Sequence, residues 1–280
     1  MRTVWLNGDW LPENEARIPI FDRGLTFAQS VYEVAPVIGG RIANWHYHAA
    51  RLAGSMRVVL IEDATDWPAV LSELIARNGL EEGRVYLQVT AGSSGDRDFA
   101  MPRPPNAPTR IAYTQPAVLL ADPRAGRGLR IVLRPDLRWQ LRHAKTTQLL
   151  YAVLMKEEAR AAGVDEAWLV EDGHVTEATS QNAHIIDARG HLVSHPVDSG
   201  VLPGVTRISV MEIAKGLGLT VEERPFTPDE LFAAREAFVS AAGSLVLPVV
   251  EVDGRAIGDG RPGSVTAAIR AGYIALLRGV

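Results

Sequence analysis

Apolar and polar positions alternate from the first residues onward. Val4-Trp5-Leu6, the pair Asn7-Gly8 and Trp10-Leu11 predict a tight hairpin, since Asn-Gly supplies the left-handed residues of a two-residue turn. A second hairpin is expected where Val31 to Ile38 meets Gly39-Gly40 and Arg41-Ile42. Helical spacing then runs from Trp45 to Arg57 and from Pro68 to Arg77, the latter with Asp66 as cap and Gly79 as stop. Arg84 to Thr90 and Arg110 to Thr114 read as strands flanking a Gly/Ser/Pro-rich loop, 91–108. The stretch 116–128, with Asp122-Pro123-Arg124-Ala125-Gly126, reads as a linker. Beyond it, hairpins are expected at Ala167 to Thr176 around Glu171-Asp172-Gly173-His174, and at Ala183 to Val193 around Arg189-Gly190. Helices are expected at 147–162, 205–216, 228–234 and 263–278. With no sustained repeat and no low-complexity tract, the pattern predicts a mixed α/β protein of two domains, 1–115 and 129–280.

Composition narrows the function classes. The 280 residues are 47% hydrophobic and 22% charged, enough for two packed domains. A net charge of −4 offers no basic patch for nucleic acid, and the absence of cysteine excludes disulfides, thiolate metal sites and a cysteine nucleophile. No metal site is expected. The start, Met1 to Asp9, lacks the apolar run of a signal peptide, and no stretch approaches the roughly 20 apolar residues of a membrane helix. The expected setting is the cytoplasm.

Lysine usage supplies the first chemical clue. Of 29 basic residues only Lys145, Lys156 and Lys215 are lysines. Lys156 lies among charged helical neighbours, and Lys215 precedes Gly216 at a helix end, where a cation suits the dipole. Lys145 joins the strand-like stretch Arg130 to Trp139 to the following helix, within Arg142-His143-Ala144-Lys145-Thr146-Thr147-Gln148. An amine can lose its proton and attack a carbonyl, which a guanidinium cannot do; a surface lysine at a junction is the plainer alternative. Val175-Thr176-Glu177-Ala178-Thr179-Ser180-Gln181-Asn182 sets a carboxylate before small polar side chains that would let backbone approach a ligand, or it is an exposed loop. Gly200-Val201-Leu202-Pro203-Gly204-Val205-Thr206-Arg207 leads into a helix whose first amides would suit a phosphate, or it is simply a turn and a helix start. Arg51 judged alone is more often a surface arginine than a ligand anchor.

These needs coincide in pyridoxal phosphate: an amine for its aldehyde, a carboxylate for its ring nitrogen, and a helix start with an arginine for its phosphate. The chain resembles the fold-type IV pyridoxal-phosphate aminotransferases over essentially its whole length. The resemblance rests on Asp22-Arg23-Gly24-Leu25-Thr26-Phe27, Val31-Tyr32-Glu33-Val34, His48-Ala49-Ala50-Arg51-Leu52, Lys145-Thr146, Val175-Thr176-Glu177, Ser180-Gln181-Asn182, Gly204-Val205-Thr206-Arg207 and Pro248 to Gly254, in order. It implies a small N-terminal α/β domain, a linker and a larger C-terminal pseudo-barrel domain, with pyridoxal 5'-phosphate between them.

By the same resemblance Lys145 is the Schiff-base lysine and the proton carrier between substrate Cα and cofactor C4′, and Glu177 is the partner of the pyridine nitrogen. Arg51 with Val205 and Thr206 is similar to the phosphate cup. Tyr32 and Arg138 match residues near the cofactor's phenolic oxygen, and Tyr32 and Ser180 are also expected at the substrate. Ala242 occupies a cofactor position in Ala241-Ala242-Gly243, where hydroxyl side chains often stand. The motifs at Tyr32 and Lys145 most resemble D-amino acid transaminases, which exchange the amine of a D-amino acid with a 2-oxo acid such as 2-oxoglutarate or pyruvate in a ping-pong reaction. An R-selective amine transaminase, a branched-chain aminotransferase and an aminodeoxychorismate lyase are the alternatives. The resemblance also implies a homodimer in which loop 91–102 completes the neighbouring site.

This chain departs from the pattern in that loop. Gly92 to Pro102 holds no histidine beside its arginine; Arg97 is the candidate carboxylate anchor, but Asp96 and Asp98 partly cancel its charge, and a different anchor is the alternative. Ala28-Gln29-Ser30 replaces the usual glycine-aspartate-glycine.

Overall fold

The computed structural model describes residues 1–197 and 200–279. They form two compact units, Met1–Val118 with Ala144–Gln148, and Leu119–His143 with Leu149–Val280.

The first unit comprises β1 (Thr3–Leu6), β2 (Asp9–Pro12), α1 (Arg23–Phe27), β3 (Ser30–Ile38), β4 (Arg41–Ile42), α2 (Trp45–Val58), α3 (Trp67–Asn78), β5 (Glu82–Thr90) and β6 (Arg110–Pro116). Its strands make an antiparallel sheet in the order β2-β1-β6-β5-β3-β4. The first hairpin forms as the Asn-Gly pair predicts, with Leu6 opposite Asp9 and both turn residues at positive φ, Asn7 at 53° and Gly8 at 110°. Asp66 caps α3, accepting from the Ala69 N–H at 3.3 Å.

β3 and β5 pair from Ser30 opposite Thr90 to Ile38 opposite Glu82. Alternation sends Val31, Glu33, Ala35 and Val37 of β3 to the same face as Val85, Leu87 and Val89 of β5. The apolar members of that set pack with Leu52 of α2 and with Leu71 and Leu74 of α3. Glu33 stands among them, a carboxylate on a core face.

The second unit comprises α4 (Arg124–Arg127), β7 (Leu129–Pro135), α5 (Leu150–Ala161), β8 (Glu166–Glu171), β9 (His174–Ala178), β10 (Asn182–Ile186), β11 (Leu192–Ser194), α6 (Val205–Gly216), β12 (Val221–Glu223), α7 (Pro228–Phe232), β13 (Glu236–Ala241), β14 (Leu245–Val252), β15 (Arg255–Ala256) and α8 (Ser264–Arg278). Its nine-stranded sheet runs β12-β11-β10-β13-β14-β7-β8-β9, with β15 on β14. β7 lies parallel to both β14 and β8, and β11 parallel to β12; the other pairs are antiparallel.

Several elements differ from the expected ones. α5 starts at Leu150 rather than 147, because Thr147 donates its N–H to the Ser30 C=O at 3.1 Å and so belongs to the edge of β3. The central strands β13 and β14 lie outside the predicted elements. Their runs are buried on both faces and carry no alternation for periodicity to detect. α4 falls within the expected linker, with Asp122 accepting from the Arg124 N–H at 2.9 Å. Among the described residues no helix is long and apolar enough to cross a membrane.

Candidate active site

Lys145 belongs to the first unit, beside β3. The Tyr32 N–H donates to the Lys145 C=O at 3.0 Å, and Val31 bridges Thr146. The Lys145 N–H donates to Ser55 Oγ of α2 at 2.9 Å. The half-buried side chain carries its Nζ 4.1 Å from the centre of the Tyr32 ring. Among the described residues Nζ makes no hydrogen bond and no ion pair, unlike Lys156, which donates to Glu166 Oε2 at 2.8 Å. The Tyr32 ring stacks on Tyr86 at 5.5 Å, and Tyr86 on Tyr113 at 4.6 Å.

Next to Tyr32, Glu33 is gripped from α2. Arg51 donates through Nε to Oε1 at 2.8 Å and through Nη2 to Oε2 at 2.7 Å, and His48 Nδ1 lies 2.7 Å from Oε2. The Glu33 side chain is 1% exposed. Burial raises its pKa, but the charge and hydrogen bonds of Arg51, with the hydrogen bond to His48, outweigh burial and hold it at about 2. Burial lowers the pKa of His48, so the ring is a neutral donor through Nδ1. His48 Nε2 is buried without a hydrogen-bond partner.

In the second unit the polar centre is Asp136, whose side chain is fully buried. It accepts from Arg138 Nε and Nη2 at 2.9 and 2.6 Å, from Arg142 Nη1 at 3.0 Å and from Thr176 Oγ1 at 2.7 Å. Arg138 reaches on through Nη1 to Glu177 Oε1 at 2.6 Å. Burial opposes the Arg138 charge, but its two carboxylates more than offset that and raise its pKa. The other Glu177 oxygen accepts from Asn182 Nδ2 at 3.0 Å and from the Leu202 N–H at 3.2 Å. Burial pushes the Glu177 carboxyl above its ordinary pKa, against the pull of Arg138.

Helix α6 begins after Gly204 with no side-chain cap, and Val205 and Thr206 of its first turn are buried. The backbone at Gly204 lies so close to Asn182 that a Cβ would stand 1.9 Å from Asn182 Oδ1. Only glycine allows Asn182 to hold Glu177 and the α6 start to occupy this place together.

A family model described as "Amino-transferase class IV" matches residues 30–252. The chain belongs to the class IV aminotransferases. It is 33% identical over 271 residues to a D-alanine aminotransferase of Bacillus licheniformis, covering 95% of this chain and 94% of the relative. It is 31% identical over 276 residues to a D-alanine aminotransferase of Staphylococcus aureus (strain N315), covering 98% and 97%. Its fold is similar to that of the T.th. branched-chain amino acid aminotransferase solved with pyridoxamine 5'-phosphate, with a TM-score of 0.89, 27% identity, and coverage of 99% of this chain and 94% of that one.

The remaining expected residues of this class IV aminotransferase lie as follows. Arg51, expected at a phosphate, is bound to Glu33, and Arg138, expected near a phenolic oxygen, bridges Asp136 and Glu177. Ser180 is exposed in the bend after β9, and Ala242 sits in the turn after β13, where it offers backbone but no hydroxyl. Arg97 is exposed and lies over the rings of Phe27 and Phe99 at 4.8 and 4.9 Å. It forms no ion pair with Asp96 or Asp98 among the described residues.

Sequence reasoning gave no separate role to His48, Ser55, Asp136, Asn182 or Arg23. The polar residues 48, 51 and 55 on one face of an amphipathic helix were the available signal for the first two. Arg23, 4% exposed, donates to the carbonyls of Asp98, Phe99 and Ala100 and to Gln29 Oε1, so the unusual Gln29 helps tether the loop that bears Arg97.

The Glu33 carboxyl has a folded pKa below its ordinary 4.5, so its stabilisation is fully present above that pH and is lost as pH falls toward about 2. Urea unfolding of the wild type should lose on the order of 3 kcal/mol more across this window than Glu33→Gln; parallel profiles would contradict the clamp. Gly204→Ala should displace Asn182 and cost roughly 1–3 kcal/mol in urea unfolding.

Proposed function

We propose that this chain is a pyridoxal-phosphate transaminase that moves the amino group between a D-amino acid and a 2-oxo acid, 2-oxoglutarate or pyruvate, by a ping-pong mechanism. The observation that carries the reading is the Lys145 amine, half-buried on Tyr32 and in no ion pair among the described residues. Identity of 33% to a D-alanine aminotransferase supports the D-amino acid. The branched-chain aminotransferase fold with 27% identity keeps an L-branched-chain donor as the second reading.

The residues fit the cofactor. Lys145 offers an amine, Glu177 a buried carboxylate for a ring nitrogen, and α6 first-turn amides without a side-chain cap for a phosphate. Arg51 is the further phosphate ligand, its guanidinium plane set by Glu33. When bound, pyridoxal 5'-phosphate supplies the aldehyde that takes the amine and the electron-poor ring that stabilises charge at the substrate Cα. Lys145 Nζ takes the Cα proton and returns it at the other end of the transfer. Glu177 holds a proton at the ring nitrogen, Arg138 and Asn182 fix its two oxygens, and Tyr32 and Ser180 border the substrate.

Arg97 anchors the substrate carboxylate. Its guanidinium lies over Phe27 and Phe99 with no ion pair among the described residues, which leaves it available to an anion. Ile20, Leu25 and Phe99 are 71%, 64% and 77% exposed in this unit, and that apolar surface supports a homodimer in which loop 91–102 serves the neighbouring site. The setting we infer is the cytoplasm, where free amino acids and oxo acids are at hand.

Lys145→Ala should abolish transamination between D-alanine and 2-oxoglutarate, a loss of at least about 10³-fold. Glu177→Gln should retain cofactor but slow deamination of D-alanine by about 10²-fold, read by stopped-flow. Arg97→Ala should raise the KM for D-alanine by roughly tenfold or more with a smaller effect on kcat; an unchanged KM would remove Arg97 from the carboxylate site.

A further inference from the structure

Lys145 is fixed by its backbone, and its amine has no hydrogen-bond or ion-pair partner among the described residues. β3 supplies the donor for the Lys145 C=O through the Tyr32 N–H, at 3.0 Å. The Lys145 N–H finds its acceptor on a different element, the hydroxyl of Ser55 at 2.9 Å. Ser55 is 2% exposed, so its hydroxyl is shielded from water, while Lys145 is half-buried.

At 3.6 residues per turn, Ser55 lies about 20° from His48 around the axis of α2, and Arg51 about 60° from His48. One face of one helix therefore grips Glu33 twice and the lysine segment once. Glu33 and Tyr32 are consecutive, so the clamp on Glu33 holds the residue whose N–H holds Lys145 and whose ring lies under Nζ. Lysine has a flexible four-carbon stem, and the reach of its amine depends on where that stem leaves the backbone.

We propose that Ser55 is a positioning residue for Lys145: its hydroxyl fixes the lysine N–H, and α2 ties the placement of the reacting amine to the Glu33 clamp. The proposal rests on the reading of Lys145 as that amine. Loss of the hydroxyl leaves a part-buried N–H without its acceptor, and the lysine segment shifts to satisfy it. A displacement of well under an ångström is enough to slow proton transfer while substrate binding by other residues persists.

The test is Ser55→Ala, which removes one oxygen and adds no bulk, with Ser55→Thr restoring a hydroxyl. Amide hydrogen exchange in the cofactor-free protein reads the Lys145 N–H directly. The expected result for Ser55→Ala is exchange at Lys145 faster by roughly tenfold or more, unchanged exchange in β5, and kcat lower by roughly fivefold to tenfold at a KM within about twofold of wild type. Ser55→Thr should recover both protection and kcat. Wild-type exchange at Lys145 in Ser55→Ala, exchange that rises equally across β5, an unchanged kcat, or no recovery in Ser55→Thr would each overturn the proposal. Borohydride reduction of the cofactor-loaded protein, followed by peptide mass analysis, tests the underlying reading separately. Cofactor fixed on Lys145 keeps that reading whatever Ser55 does, and cofactor fixed elsewhere removes it.

Discussion

A carboxylate on the core face of a sheet must be paired or neutralised, and Glu33 is such a carboxylate. Its pairing dictates how α2 meets β3: His48 and Arg51 must face inward, where an amphipathic helix would otherwise place apolar side chains. Once that orientation is set, Leu52 joins the core and Ser55 reaches the lysine segment. The arrangement gives a buried ion pair a role beyond stability. It fixes the register between a helix and a strand, and the backbone of Lys145 hydrogen-bonds to both.

The second unit repeats the principle with different residues. Asp136 draws in Arg138, Arg142 and Thr176, and Arg138 passes its remaining donor to Glu177. Asn182 and the Leu202 N–H hold the opposite oxygen. Both Glu177 oxygens are thereby held in place, which suits the proposed role at a ring nitrogen because no reorganisation is needed. Gly204 belongs to the same device, because its missing Cβ lets the start of α6 close against Asn182.

Much of this was legible in the sequence where a local rule sufficed. Asn7-Gly8 specified its hairpin, Asp66 its helix cap, and the apolar spacing of 205–216 the full extent of α6. The scarcity of lysine pointed to Lys145. What was not legible depended on pairing between distant elements. Nothing local says that Arg51 closes on Glu33, eighteen residues earlier on another element, or that Ser55 meets an amide ninety residues later. Arg138 was read as a cofactor neighbour, and only the fold shows it bridging two carboxylates. The buried strands β13 and β14 escaped because strands covered on both faces carry no alternation.

The central claim is that the amine of Lys145 serves transamination of a D-amino acid. The most direct measurement is the visible absorbance of the pyridoxal-phosphate-loaded protein, recorded without an oxo acid before and after separate additions of D-alanine, L-leucine and R-1-phenylethylamine. The account predicts that D-alanine abolishes the visible band in favour of near-ultraviolet absorbance, that pyruvate restores it, and that the other two amines act far more slowly. Loss of the band with L-leucine or the arylalkyl amine, and not with D-alanine, would contradict the substrate. Absence of a visible band after addition of pyridoxal phosphate would contradict the role of Lys145 itself.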